Sequence, residues 1–264
     1  MLQIKDVFKT FNAGTINEKV ALKGVNLHLK PGDFVTVIGG NGAGKSTMLN
    51  SVAGVFPVDE GQILIDGVDV THLPEYKRAK FIGRVFQDPM MGTAATMQIE
   101  ENLALAARRG KFRGLRAGIT KAEREHYKEE LKILGLGLED RMTAKVGLLS
   151  GGQRQALTLL MATLQKPKLL LLDEHTAALD PKTAAKVLEV TQRIVERDNL
   201  TTLMITHNMR DAIAYGNRLI MMYDGHIVVD VSGEEKKNLT VEQLLKLFSQ
   251  ASGSDEADDK LLLS

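Results

Sequence analysis

The architecture of this chain follows from one glycine-rich segment, Gly39-Gly40-Asn41-Gly42-Ala43-Gly44-Lys45-Ser46-Thr47. It follows the apolar run Phe34–Ile38, which is typical of a buried strand, and leads into an apolar helical pattern over Met48–Val52. Glycines in such a turn let successive backbone N–H groups point inward around a phosphate, and the start of the helix adds partial positive charge. Because both flanking elements are present, a glycine-rich turn without a ligand is disfavoured. The segment predicts a site for a nucleoside triphosphate.

Such a site needs further polar groups around the phosphates. Lys45 can reach the β- and γ-phosphates, and the hydroxyl of Ser46 can ligate Mg²⁺. Two carboxylates follow the apolar run Leu169–Leu172. Asp173 is expected to hold a water in the Mg²⁺ shell, and Glu174 is placed to polarise an attacking water. The alternative, a strand end that is merely solvated, is weakened by the presence of the phosphate segment.

Composition excludes several other kinds of site. The 264 residues include 34 Lys and Arg against 33 Asp and Glu, so bulk positive charge does not mark a nucleic-acid binder. The chain has no cysteine, which excludes disulfides, thiolate metal sites and a cysteine nucleophile. No apolar run approaches ~20 residues, and charged residues interrupt Met1–Phe11, so we expect neither a membrane span nor a signal peptide.

The hydrophobic pattern predicts a layered α/β arrangement. Helical spacing predominates from about 90 to 165, and Pro181 begins a further helix. Strands alternating with helices imply a mostly parallel sheet that is covered on both faces. From Ser252 onward the residues are small and acidic, which is typical of a frayed tail. The patterns predict strands at 23–30, 34–38, 62–65, 82–86, 169–172, 202–205 and 219–223.

A second motif identifies the class of nucleotide site. Taken with Gly39–Thr47 and Asp173-Glu174, the segment Leu149-Ser150-Gly151-Gly152-Gln153 resembles the signature of the nucleotide-binding domain of ATP-binding cassette (ABC) proteins. The similarity covers about residues 2–230. Four other family elements occur in the expected order: the adenine-stacking aromatic Phe11, the Q-loop Gln87, the D-loop Asp180 and the switch histidine His207.

The resemblance implies an α/β fold of the P-loop NTPase, ABC type. It combines a mostly parallel sheet core, an antiparallel β part and a helical subdomain. We expect one ATPase domain over residues 1–250, in which 1–87 and 166–250 form the core and about 88–165 the helical subdomain. Residues 251–264 are expected to be a flexible acidic tail.

The resemblance also assigns roles to residues at ATP and Mg²⁺. Phe8 is an alternative to Phe11 as the adenine platform, because both aromatics lie in the same stretch. The residues expected to act in catalysis are Lys45, Gln87, Glu174 and His207, and those expected to hold Mg²⁺ are Ser46, Gln87 and Asp173. The residues expected to bind the nucleotide are Phe11, Val20, Gly39, Gly40, Asn41, Gly42, Ala43, Gly44, Lys45, Ser46 and Thr47. The residues expected to contact ATP across a dimer are Leu149, Ser150, Gly151, Gly152, Gln153 and Asp180.

A second subunit follows from the position of the signature. Ser150 is predicted to cap a helix, and the start of a helix is an anion site. The resemblance implies that this helix end closes on the γ-phosphate held by another ATPase subunit, either identical or a close paralogue. It also implies membrane permease subunits that dock on the helical subdomain.

Three functions remain open on the sequence. The first is an ABC transporter ATPase on the cytoplasmic face of the plasma membrane, for which amino acid uptake with a solute-binding protein is a candidate role. The second is an ABC ATPase of an assembly machine, such as the Fe–S scaffold type. The third, a DNA-repair-type clamp, is disfavoured because only 104 residues separate Ser46 from Ser150, which leaves no room for a long coiled coil. We expect no nucleic-acid partner.

Two features have no assigned role in this picture. His175 stands where the family usually has proline, and an indifferent replacement is the simpler interpretation. Five of the nine residues in 108–116 are basic. That stretch is either a solvated loop or a contact for anionic lipid headgroups.

Overall fold

The computed structural model describes residues 1–111 and 118–252, with the backbone alone for 251 and 252. Positions 112–116 of the basic stretch and 253–264 of the acidic tail lie outside the described residues. The strands are β1 (Leu2–Phe11), β2 (Lys19–Leu29), β3 (Phe34–Ile38), β4 (Glu60–Ile65), β5 (Val68–Asp69), β6 (Ile82–Val85), β7 (Leu169–Asp173), β8 (Thr201–Ile205), β9 (Arg218–Tyr223) and β10 (His226–Ser232). The helices are α1 (Lys45–Ala53), α2 (Glu75–Arg78), α3 (Ile99–Ala107), α4 (Lys121–Lys132), α5 (Gly151–Thr163), α6 (Pro181–Asp198), α7 (Met209–Ala214), α8 (Gly233–Lys237) and α9 (Val241–Ser252).

The strands of the described residues form two sheets. The antiparallel sheet has the order β2-β1-β4-β5, and the larger sheet has the order β10-β9-β3-β8-β7-β6. Strands β9, β3, β8, β7 and β6 run parallel, and β10 returns antiparallel beside β9. This arrangement agrees with the predicted mostly parallel core and its antiparallel β part.

One apolar core joins the two sheets. Leu2 and Val25 of the antiparallel sheet share a buried cluster with Val37 and Leu171 of the larger sheet and with Leu49 of α1. All five residues of β3 are buried, as are the four leucines of β7, which is expected for central strands covered on both faces. These two strands therefore present the residues that follow them from a rigid base.

The topology brings the predicted functional residues to one edge of the larger sheet. The phosphate segment follows β3, Gln87 follows β6, Glu174 follows β7 and His207 follows β8. Because these strands are parallel, their carboxyl ends lie at the same edge, where α/β sheets bind ligands.

The predicted helical block over 90–165 is narrower than expected. Within it only α3, α4 and α5 are α-helical among the described residues. Residues 89–98 form turns, and the segment between α4 and α5 contains two short 3₁₀ turns. Gly135 and Gly137 have φ values of +61° and +67°, which interrupt a right-handed helix. The three helices still pack together through buried residues such as Leu103 and Tyr127.

In the part of the chain that the structure describes, no helix combines the length and apolar character needed to cross a bilayer.

Candidate nucleotide-binding site

The phosphate segment Gly39–Thr47 forms the turn between β3 and α1. A Cβ on Gly39 would lie 2.3 Å from the carbonyl oxygen of Met222, so only glycine fits at the start of this turn. The Nζ of Lys45 donates to the carbonyl oxygens of Gly39 and Gly40, at 2.7 and 3.1 Å. The lysine is thereby held against the segment from which it would reach a phosphate.

A cavity of about 220 Å³ lies over this segment. It brings together two side chains from distant parts of the sequence, Phe11 and Glu174, with the phosphate segment. The lining residues are Phe11, Lys19, Ala21, Asn41, Gly42, Ala43, Gly44, Lys45, Ser46, Thr47 and Glu174. Gly39 and Gly40 contribute through the carbonyl groups that hold Lys45.

Val20, which is expected at the nucleotide, lies between two residues that line the cavity. Val20 does not line the cavity, whereas its neighbours Lys19 and Ala21 do. Alternate residues of a strand face the same side, so Lys19 and Ala21 face the cavity together. Lys19 was not among the residues expected at the nucleotide, yet it lines the cavity.

The structure distinguishes between the two candidate adenine platforms. Phe11 lines the cavity, and its ring meets Phe56 edge-on with 5.2 Å between centroids. The ring of Phe8 lies over Gly24 instead, 3.0 Å from the position that a Cβ would occupy there. Phe11 is therefore the aromatic that can stack on a base in this cavity.

Charged groups beside the phosphate segment are partly buried. Burial lowers the pKa of Lys45 below its ordinary value, and the nearby negative charges of Glu174 and Asp173 oppose that change. Burial raises the pKa of the Asp173 carboxyl, which the neighbouring Arg84 opposes. Charges in a partly buried site interact more strongly than in water. A triphosphate bound here would therefore interact strongly with Lys45, Asp173 and Glu174.

Arg84 of β6 holds the Asp173 side of the site in place. Its Nη2 lies 3.6 Å from Asp173 Oδ2 and donates to Asn50 Oδ1 of α1 at 2.6 Å. Its guanidinium lies over the ring of Phe86, 4.5 Å from the centroid. In the sequence, Arg84 stands out only as a basic residue within an otherwise apolar strand. That pattern does not indicate that Asp173 and Asn50 are its partners.

Glu174 and His207 lie side by side. The Nδ1 of His207 is 3.6 Å from Glu174 Oε2, and both side chains are partly exposed. Glu174 adopts φ +44°, in the left-handed region that costs a non-glycine residue energy, and its N–H donates to the carbonyl oxygen of Ile205 at 3.1 Å. Such backbone strain is concentrated at functional sites, and here it aims a carboxylate into the nucleotide cavity.

The residues expected for Mg²⁺ are divided between two neighbouring cavities. Ser46 lines the first, while Gln87 and Asp173 line a second cavity of about 650 Å³. Their donors are hydroxyl, amide and carboxylate oxygens, the type that Mg²⁺ prefers. The described residues contain no group of three or more His, Asp or Glu side chains that could hold a metal. The set therefore fits a metal that takes its other ligands from phosphate and water.

The signature segment begins α5 as predicted. Ser150 caps the helix: its side chain accepts from the Gln153 N–H at 3.3 Å, and the Gln153 side chain accepts from the Ser150 N–H at 3.1 Å. A Cβ on Gly152 would lie 2.1 Å from a methyl carbon of Thr183, so α5 approaches α6 closely only because of this glycine. None of the residues from 149 to 153 lines the nucleotide cavity.

Asp180 caps a helix within its own chain. Its carboxylate caps α6 and accepts from the Thr183 N–H at 3.1 Å. Hydrogen bonds with Thr183 hold the pKa of the Asp180 carboxyl below its ordinary value. The D-loop is therefore fixed at the start of α6, beside the signature helix.

His175 is buried just after the end of β7. Its Nε2 lies 3.1 Å from the Oγ1 of Thr191 on α6. That hydroxyl already donates to the carbonyl oxygen of Val187 at 2.8 Å, so the ring is the donor and carries its proton on Nε2. Burial lowers the pKa of His175 from 6.5 to about 4. The residue ties the strand that carries Glu174 to α6 in the neutral form.

This burial predicts a pH-dependent stability. Unfolded His175 takes up a proton below about pH 6.5, whereas the folded ring resists protonation down to about pH 4. The unfolded state therefore binds more protons in this window, and the free energy of unfolding falls as pH is lowered. We expect the His175 contribution to be about 1.5 kcal/mol between pH 6.5 and pH 5. Urea unfolding at both values measures it, and His175→Gln should remove this part of the pH dependence. An unchanged slope in the variant would contradict the prediction.

Comparison with known proteins agrees with this geometry. A sequence model of the family "ABC transporter" matches residues 22–177. The chain belongs to the ABC transporter ATP-binding family. It is 45% identical over 251 residues to the "Tyrosine transport ATP-binding protein" of Clostridioides difficile, covering 95% of this chain and all of the relative. It is 33% identical over 229 residues to a "Putative hemin import ATP-binding protein" of Staphylococcus aureus, covering 86% and 98%.

A solved structure shares the architecture of this ABC protein. The dimeric ATP-binding cassette MJ0796 bound to ADP and Pi superimposes with a TM-score of 0.74 at 33% identity, covering 88% of this chain and 98% of that one. The same-named protein comes from Methanocaldococcus jannaschii. The predicted ABC-type P-loop fold is thus confirmed, and so is the ATP-binding subunit class.

Proposed function

We propose that the chain is the Mg²⁺-dependent ATPase subunit of a membrane transporter and drives uptake of an aromatic amino acid such as tyrosine. The observation that carries the ATPase part is the cavity over Gly39–Thr47, which Phe11 and Glu174 line together with the phosphate segment. The nucleobase, the triphosphate and the carboxylate that acts as general base are thus brought together in one cavity. Residues 1–250 act as one ATPase unit, and about 88–165 form its helical subdomain.

The residues of this cavity have complementary tasks in hydrolysis. Phe11 stacks on the base, and the backbone N–H groups of the phosphate segment with Lys45 bind the phosphates. Glu174 accepts a proton from the attacking water, and His207 at 3.6 Å orients that carboxylate. Bound Mg²⁺, held through Ser46, Gln87 and Asp173, would supply charge stabilisation of the triphosphate.

Gln87 connects the site to a docking groove. The second cavity extends from Asp173 and Gln87 to the exposed side chains of Val55 and Met91, which are 40% and 69% exposed. An apolar segment of a permease subunit fits such a groove, because its occupation would cover these side chains. A shift of Gln87 on docking would reach the metal side of the ATP site. The protein would thus act at the cytoplasmic face of the plasma membrane, bound to permease subunits that complete the transporter.

The substrate class rests on similarity. The relative from Clostridioides difficile, which covers 95% of this chain, is named for tyrosine transport. A solute-binding protein that captures the amino acid would complete the system. The two relatives compared above are named for transport, which favours a transporter over an assembly machine.

Reconstitution tests this proposal. The chain and its permease subunits are placed in vesicles with the solute-binding protein, and uptake of labelled tyrosine is measured with Mg-ATP on the ATPase side. We expect uptake that requires ATP and exceeds uptake of aliphatic amino acids. The matched control contains Lys45→Ala, which lacks the phosphate-binding ammonium. ATP hydrolysis without transport of any amino acid, together with co-purification of soluble scaffold proteins, would contradict the proposal.

A further inference from the structure

We propose that Lys19 is an additional phosphate-binding residue of the nucleotide site, specific for the polyphosphate rather than for the nucleoside. The inference rests on the proposed nucleotide binding and adds to it a cation from outside the phosphate segment.

The position of Lys19 follows from strand pairing. Lys19 begins β2 and pairs directly with Phe11, the last residue of β1. Residues directly opposite each other in an antiparallel pair project to the same face. Both side chains accordingly line the cavity over the phosphate segment. An aromatic ring and an ammonium thus enter the cavity from the same end of one two-stranded ladder.

The ammonium of Lys19 reaches the middle of the phosphate segment. Its Nζ lies 3.2 Å from the point where a Cβ on Gly42 would stand. Lys45 is held at the start of the segment, by the carbonyl oxygens of Gly39 and Gly40. The two cations therefore act on different parts of a bound polyphosphate chain.

Lys19 is also available to a ligand. The neighbouring lysines of the same sheet have carboxylate partners: Lys9 with Asp59 at 2.8 Å and Lys23 with Asp224 at 2.5 Å. In the described part of the chain no carboxylate pairs with Lys19. The adjacent Glu18 is turned away, and its carboxylate accepts from the Gly14 N–H at 2.6 Å.

This combination determines the class of ligand. An exposed ammonium without an anionic partner, placed over backbone N–H groups that are suited to phosphate, attracts negative charge. The phosphate chain of a nucleoside di- or triphosphate supplies that charge. Adenine carries none and is accommodated by Phe11. Lys19 should therefore contribute equally to ATP and to a polyphosphate without a nucleoside.

The test compares ATP with inorganic tripolyphosphate on the purified full chain. Binding is measured by calorimetry for the wild type, Lys19→Gln and Lys19→Arg. The matched control is Lys23→Gln, on the same strand but outside the cavity. We expect Lys19→Gln to weaken both ligands about three- to tenfold, with a smaller effect at high salt, and Lys19→Arg to retain most of the affinity. Lys23→Gln should change neither.

A second variant separates phosphate binding from base binding. Phe11→Ala should weaken ATP and leave tripolyphosphate unchanged. If Lys19→Gln behaves like Phe11→Ala, Lys19 contacts the nucleoside and the proposal is wrong. It is also wrong if Lys19→Gln binds both ligands within twofold of the wild type, or if Lys23→Gln loses as much. Failure of the wild type to bind ATP would instead refute the proposed function.

Discussion

Replacement of Glu174 by glutamine should reduce ATP turnover by about 10²- to 10⁴-fold while ATP still binds. Glutamine keeps the shape of the side chain but cannot accept the proton of the attacking water. The carboxylate lines the nucleotide cavity, and its Oε2 lies 3.6 Å from His207 Nδ1. The strained backbone of Glu174, at φ +44°, is set by the fold and should persist in the variant.

Turnover is measured as phosphate release, and binding as ATP retained at equilibrium. The paired control is Asp180→Asn, which changes another acid near the sheet edge to its amide. Because the Asp180 carboxylate caps α6 and does not line the cavity, its loss should affect stability more than single-site ATP binding. Near-normal turnover by Glu174→Gln would mean that another group activates the water.

The position of the sheet edge that carries the candidate site was predictable from the sequence. Apolar runs identified β3, β7 and β8, and polar residues directly after each run identified the ends that carry the site. This succeeds because a central parallel strand is buried on both faces, so its sequence is predominantly apolar and its end is clearly marked. The pairing of Glu174 with His207 required only that β7 and β8 be neighbours, as they are.

Side-chain direction was less predictable. The family resemblance assigned Val20 to the nucleotide but did not indicate that its neighbours Lys19 and Ala21 line the cavity. Which face of β2 turns toward the cavity depends on its pairing with β1, which no local pattern encodes. Arg84 was overlooked for a similar reason, because its partners Asn50 and Asp173 come from distant elements.

The helical block was predicted too broadly, over 90–165. Apolar residues recur at helical spacing outside α3, α4 and α5, but turns and short 3₁₀ segments hold them in the same buried cluster. Leu138 and Val146, for example, are fully buried in such short turns. Periodicity reports which residues are buried, and it does not by itself distinguish a long helix from several short turns.

The second prediction with a large expected effect concerns the pairing of two chains into a dimer. One chain holds the phosphate segment and Glu174 in its cavity, but none of the signature residues from 149 to 153 lines it. The start of α5, where Gly151 and Gly152 follow the Ser150 cap, is nevertheless an anion site. Two-fold pairing would place this helix end on the triphosphate of the other subunit and complete both sites. The similar cassette bound to ADP and Pi is dimeric.

We therefore expect Glu174→Gln to be monomeric without nucleotide and dimeric with Mg-ATP, as measured by sedimentation at micromolar concentration. Gly151 provides the decisive comparison. A Cβ there would meet only a methyl carbon of Leu179, at an ordinary 3.4 Å, and an acid in the first turn of a helix is favourable for folding. Glu174→Gln with Gly151→Asp should consequently fold and bind ATP but remain monomeric, because the new carboxylate repels the partner's triphosphate. Gly151→Asn, which is neutral, should dimerise. If the Asp and Asn variants dimerise equally, the signature helix does not contact phosphate, and the dimer forms through another surface.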